Sequence, residues 1–190
     1  MILRQTARIV SLEKKLRETR LALHEALTEA VRGEVRDYPF DTRDGPVSLS
    51  TLFADKRDLF MVHNMGTTCP QCTMWADGFN GFYPHLASRA AVVVVSPDPP
   101  ARQAEFAASR GWRFPMASVA DKAFAADMGF ADATGRMLPG VSVFQKDGTK
   151  ILRVSASGFD AGEAFSSPVW HFLDLLPEGV DGWRPKITYG

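Results

Sequence analysis

The chain has 190 residues, the length of one domain with room for an added helix. Its 22 Lys and Arg balance 22 Asp and Glu, and no basic run alternates with aromatics, so it offers no surface suited to a nucleic-acid backbone. The 45% hydrophobic content, with thirteen Phe and four Trp, can fill a core, yet no apolar stretch approaches the roughly 20 residues of a membrane span.

The first residues, Met1-Ile2-Leu3-Arg4-Gln5-Thr6-Ala7-Arg8, are interrupted by charge and lack an apolar signal region. The expectation is a cytoplasmic chain whose thiols are held reduced. Ile9, Leu12, Leu16, Leu23, Leu27 and Ala30 then recur at helical spacing, with Ser11 as N-cap, Gly33 as stop and Glu13–Arg17 as an i,i+4 pair. The division expected is an amphipathic helix over 1–34 and a main domain over 35–190. Two uses of the helix stand open: packing on its own domain, or pairing with a second copy to give a homodimer.

Tyr38-Pro39-Phe40 opens a short strand, Asp44-Gly45 is a turn, and Val47-Ser48-Leu49-Ser50 is a brief strand or helix entry. Residues 58–65 are apolar on both faces and read as a central strand. A helix is predicted from Pro70 to about Phe79, loosened by Gly78 and Gly81. Residues 90–96, with Val92-Val93-Val94-Val95, read as a buried strand. Asp98-Pro99-Pro100 starts a helix that stops at Gly111, and a shorter one lies over 121–128. Residues 141–145 and 150–155 flank the turn Lys146-Asp147-Gly148-Thr149, a hairpin signal. Ser167-Pro168 starts a last helix through Leu176, and an irregular aromatic tail, Trp183 to Tyr189, is expected to lie over the domain. Two strands joined by a helix run parallel with a right-handed crossover, so the order predicts a mixed α/β sheet with helices on both faces.

Between the central strand and its helix stand the only two cysteines, Cys69 and Cys72, in a C-x-x-C pair. Cys69 falls just before the helix and Pro70 suits the first helical position. The free N–H groups and positive end of the helix then face the Cys69 sulfur, which can bring its pKa from ~8.5 to ~7 or lower. Cys72 lies nearly a turn deeper. The reading is that Cys69 attacks a disulfide and Cys72 resolves the mixed disulfide.

A strand, C-P-x-C opening a helix, then strand, helix and closing hairpin resemble the thioredoxin fold. More narrowly, the chain resembles the DUF899 family of predicted thioredoxin-like dithiol–disulfide oxidoreductases. The matching segments are Val47 to Phe53, His63 ahead of Cys69-Pro70-Gln71-Cys72, Trp75-Ala76-Asp77-Gly78-Phe79-Asn80-Gly81, His85-Leu86, Gly111-Trp112-Arg113-Phe114-Pro115 and Pro139 to Phe144. The resemblance implies a thioredoxin-like sheet sandwiched by helices and a protein or small-molecule disulfide or thiol as substrate; no cofactor is called for. It also implies a role for His63, which stands where thioredoxins carry a buried acid that moves the proton of the deeper thiol. Imidazole suits that task near neutrality; the alternative is a strand histidine bonded to a backbone carbonyl. Thr67, Thr68, Pro70 and Trp75 are candidates to line the approach to the sulfurs. Thioredoxins place a cis-proline opposite the pair; here Ser142 takes the matching position, which makes it a further groove candidate, and Pro139 comes three residues early. Asp77, His85 and Trp112 read as structural.

Three other readings remain open. A peroxiredoxin-like peroxidase needs a Thr three residues before its attacking Cys; Gly66 holds that place for Cys69, and Cys69 holds it for Cys72. Zinc binding with His63 or His85 lacks a second ligand pair. A non-catalytic redox sensor could use the same scaffold. Haem attachment is excluded, since Thr73 stands where C-x-x-C-H requires His.

Overall fold

The computed structural model describes residues 6–159 and 167–189. Helix α1 (Ala7–Val31) begins before Ser11, because Thr6 caps it: its hydroxyl accepts from Ile9 N–H at 3.3 Å. None of its residues is buried, and only its last turns, with Leu27, Thr28 and Val31 half-buried, reach the domain. Strands β1 (Gly33–Val35), β2 (Pro39–Thr42), β3 (Gly45–Ser48) and β4 (Asp58–His63) follow, with one 3-10 turn at Thr51–Phe53. Next come α2 (Pro70–Arg89), β5 (Ala91–Ser96), α3 (Pro100–Arg110), β6 (Met116–Val119) and α4 (Lys122–Asp127). The chain ends with β7 (Gly140–Asp147), β8 (Lys150–Gly158) and α5 (Pro168–Leu173), which is shorter than expected.

Among the described residues, eight strands form one sheet in the order β1-β8-β7-β4-β5-β6-β2-β3. As the sequence predicts, β4 and β5 are parallel, and the β7–β8 hairpin lies antiparallel against β4. The short strands β1 and β6 are additions that the sequence reading did not foresee. Both are too brief to show a period, and each is held by partner strands, β1 by β8 and β6 by β5 and β2.

Helix α2 is twice as long as expected and carries Gly78, Gly81 and Pro84 in its interior. A proline cannot donate to the carbonyl four residues back. Here that carbonyl, on Asn80, accepts instead from Arg113 Nη2 at 3.3 Å. The Asn80 side chain holds the same loop, giving its amide N–H to Gly111 O at 3.0 Å and accepting from Arg113 N–H at 2.9 Å. Asp77 accepts from Trp112 Nε1 at 2.9 Å and pairs with Arg110. The Trp75–Gly81 and Gly111–Pro115 segments therefore clasp each other, and the loop after α3 splints the middle of α2.

The sheet separates two apolar layers. The larger contains Phe40, Phe53, Leu59, Met61, Phe124, Phe130 and Phe144. The smaller sets Val62 and Val94 against Ala76 of α2 and Phe114. Side chains alternate along a strand, so consecutive residues of β4 enter opposite layers.

Candidate active site

The dithiol lies where β4 ends and α2 begins. Asn64 N–H is held by Val95 O at 2.9 Å, and Asn64 Oδ1 accepts from Gly66 N–H at 2.7 Å. Gly66 takes a positive φ of 106°, and a Cβ there would stand 2.8 Å from Asp98 Oδ2. Only glycine lets the chain turn here and lets that carboxylate close in. Asp98 Oδ2 accepts from Thr67 N–H at 2.7 Å, and Arg102 Nε donates to Thr67 Oγ1 at 2.7 Å. The Gly66–Cys69 turn closes with Cys69 N–H on Gly66 O at 3.1 Å.

Cys69 is the N-cap of α2, with Pro70 next, as the sequence requires. Its sulfur accepts from Cys72 N–H at 3.2 Å. Thr73 closes the first turn, its N–H and hydroxyl both donating to Cys69 O at 3.0 Å. Cys69 is half-buried and Cys72 is buried, and both are free thiols. The Cys72 thiol donates to the Cys69 sulfur, which with the N–H groups of Cys72 and Gln71 and the charge of Arg136 overcomes partial burial and pulls the Cys69 thiol down to about 6. Cys72 is pushed up, first by the Cys69 sulfur it serves and then by burial. Its sulfur accepts a long bond from Met65 N–H at 3.5 Å. The pair is therefore divided into a ready thiolate outside and a protonated thiol beneath it.

The structure brings Thr67, Thr68 and Pro70 to the Cys69 turn, with Thr68 exposed and Thr67 buried by its bonds. Beside Thr67, a cleft of about 350 Å³ runs along α3 past Arg102, Glu105, Phe106 and Ser109. Trp75 is buried in the layer under α2, edge-on to Phe159 with ring centroids 4.1 Å apart. Two candidates are not brought to the sulfurs. His63 follows Val62, whose side chain packs on α2, and so points into the opposite layer. There it is fully buried between Phe130 and Phe124, with centroids at 4.1 and 5.6 Å, and its hydrogen bond is to Ser142 Oγ at 2.9 Å. Burial, then the charge of Arg153, lowers its pKa to about 3, so it stays neutral around pH 7. The carbonyl partner considered for a structural histidine is thus replaced by a serine hydroxyl. Ser142 is itself fully buried and does not line a groove. Its position within β7, paired with Met61, turns it into the core. Asp98, Arg102 and Arg136 were missed by sequence reasoning. Asp98 had one available signal, its place just past the carboxyl end of a parallel strand beside the central one. Arg136 comes from the Asp132–Arg136 loop, pinned by Asp132 Oδ1 on its N–H at 3.0 Å and Oδ2 on its Nε at 3.1 Å. No cluster of three or more His, Cys, Asp or Glu side chains suited to a metal occurs among the described residues. Among the same residues no helix is long and apolar enough to cross a membrane.

A parallel strand pair joined by a helix whose first turn holds C-x-x-C, flanked by an antiparallel hairpin, defines a thioredoxin-like fold with a redox-type dithiol. The chain belongs to the DUF899 family, described as bacterial proteins of unknown function, whose family model matches residues 3–187. Similar solved structures include peroxiredoxins. Peroxidoxin BcpB from Mycobacterium tuberculosis is 27% identical, with 67% of this chain and 84% of that one covered and a TM-score of 0.55. A PrxQ mutant from Xylella fastidiosa is 15% identical, over 76% and 94%, with a TM-score of 0.59. AhpC from Enterococcus faecalis is 16% identical, over 70% and 83%, with a TM-score of 0.57. A search of curated proteins finds no match.

Proposed function

We propose that this protein is a dithiol–disulfide oxidoreductase acting through Cys69 and Cys72. The observation that supports it most is the asymmetry of the pair: Cys69 Sγ accepts from Cys72 N–H at 3.2 Å and is held as thiolate near neutrality, while Cys72 is buried and protonated. The Cys69 thiolate attacks one sulfur of a protein or small-molecule disulfide. The substrate S–S bond breaks, one thiolate leaves and takes a proton, and a mixed disulfide remains on Cys69. Cys72 then gives up its proton to solvent or to the departing thiolate and attacks Cys69 Sγ. The second substrate thiol leaves, and a Cys69–Cys72 disulfide has formed at a cost of two electrons to the protein. An external thiol returns those electrons by the same steps in reverse.

The test is a redox titration against glutathione with mass detection of the bridge, paired with Cys72→Ser. The expected result is one two-electron couple in the wild type and a covalent substrate adduct on Cys69 in the variant. An adduct formed through Cys72 in Cys69→Ser reverses the roles. No bridge at any poise excludes the reading.

The peroxiredoxin neighbours favour a second reading, in which the same thiolate attacks a peroxide oxygen. The O–O bond breaks, an alcohol or water leaves, and Cys72 condenses with the Cys69 sulfenic acid to release water. Both routes end in the same disulfide, so substrate preference separates them. Hydrogen peroxide consumption faster than disulfide reduction, with one thiol donor, selects the second.

A further inference from the structure

Helix α1 carries an apolar seam that the domain leaves uncovered. Ile9, Leu12, Leu16, Thr19, Leu23, Ala26 and Ala30 follow one another at alternating separations of three and four. That is the a/d repeat of a coiled coil. Its large members stay open, with Ile9 38%, Leu12 56%, Leu16 53% and Leu23 53% exposed. Of the half-buried residues in its last turns, Thr28 lies on the side of the helix opposite this seam, Val31 well away from it and Leu27 at its flank. The helix is about 37 Å long at ~1.5 Å per residue, so most of it stands clear of the sheet.

We infer that α1 pairs with α1 of a second copy of this chain, antiparallel, with residue 16 of one helix opposite residue 19 of the other. This register sets Ile9 against Ala26, Leu12 against Leu23 and Leu16 against Thr19, so that large residues meet small ones in two of the three layers. A parallel pair sets like against like, and leaves Thr19 on Thr19 and Ala26 on Ala26 as poorly filled layers. Flanking charge selects the same orientation. The antiparallel register faces Arg8 with Glu29, and Glu13 with Arg20, each twice across the two-fold axis, and places Lys15 opposite Ala22. The parallel register keeps one attractive contact, Arg8 with Glu13, and sets against it Lys15 with Arg20, two like charges. The two-fold axis crosses near residues 17 and 18. The apolar layers, 9–26, end before Leu27, Thr28 and Val31, and only the exposed Glu29 pairs beyond them, so the seat of α1 on the domain is kept and the two domains stand at opposite ends of the helix pair.

Sedimentation velocity of the full chain between about 1 and 100 µM reads the assembly. The expected result is a dimer in that range. Leu12→Glu combined with Leu16→Glu is expected to give a monomer whose thermal melt and Cys69 alkylation rate match the wild type, since both residues are exposed. Arg8→Glu is expected to weaken the dimer about tenfold, and adding Glu29→Arg to restore it. Leu12→Cys with Leu23→Cys, in a Cys69→Ser, Cys72→Ser background, should oxidise to an intermolecular 12–23 bridge. A monomer at 100 µM, a dimer that survives the Leu12→Glu and Leu16→Glu pair, or bridges that join 12 to 12 overturn the inference.

Discussion

Val62 and His63 are consecutive on β4 and serve two different regions. Val62 faces the layer under α2, which carries a half-exposed thiolate, a loop tied by Asp98 and a cleft along α3. His63 faces a sealed layer in which an imidazole lies flat on Phe130 and shares a proton with Ser142. Each region holds a titratable group hydrogen-bonded to a neighbour, yet one environment favours the charged form and the other suppresses it. In the first, N–H donors and a nearby thiol stabilise the charged form and prepare a nucleophile. In the second, burial without a counter-charge suppresses the charged form and leaves a structural part. The comparison shows that a polar residue close in sequence to a reactive one can belong to the fold rather than the chemistry.

Changes that separate the two regions test this division. The largest effect is expected from Cys69→Ser, which should lower disulfide turnover by more than about a thousandfold while leaving the urea midpoint nearly unchanged. On the sealed side, Gly140 of β7 pairs directly with His63 of β4, and an added methyl there would collide with Phe130 Cε1 and stand 2.6 Å from Ser157 O. Gly140→Ala should therefore destabilise the fold by about 3 kcal/mol in urea unfolding, with no change in the ionisation of Cys69. Asp98→Ala removes the acceptor that fixes Thr67. It is expected to slow exchange about tenfold, with a stability loss of about 1 kcal/mol, seen as a rate change larger than the melting shift.

The smallest effect is the sharpest. Alkylation of Cys69 by iodoacetamide follows the thiolate fraction. The rate should rise through pH 6 as the proton leaves and level off above about pH 7. His63, with its pKa lowered to about 3, does not change charge between pH 5 and 8. His63→Gln should then leave the alkylation profile a single curve. A second inflection near 6.5 that vanishes in His63→Gln would restore the histidine to the chemistry.

Much of this was legible in the chain. The Val92–Val95 run, the Asp147-Gly148 turn and the Cys69-Pro70 helix start each rest on local rules, and each appears where those rules place it. The length of α2 was not legible, because Gly78, Gly81 and Pro84 are local stop signals. They are overridden by Asn80 and Asp77 reaching a loop more than thirty residues away. The pairing of Asp98 with Thr67 was hidden for the same reason, being a contact made across adjacent strands. His63 misled because its spacing from Cys69 matched a catalytic pattern while the pleat of β4 turned it the other way. Helix α1 was recognised by period but its N-cap was misplaced, since Thr6 and Ser11 are both competent caps and nothing local ranks them.

The bond from the Cys72 amide to the Cys69 sulfur bears on energetics as well as rate. These donors, and the buried thiol behind them, stabilise a negative sulfur that exists only while the pair is reduced. In the reaction proposed above, closing the bridge removes that anion and idles its donors. On that proposal the reduced state is favoured and the disulfide is a stronger oxidant, a bias expected to fade as the medium is acidified through pH 6 and the sulfur takes up its proton.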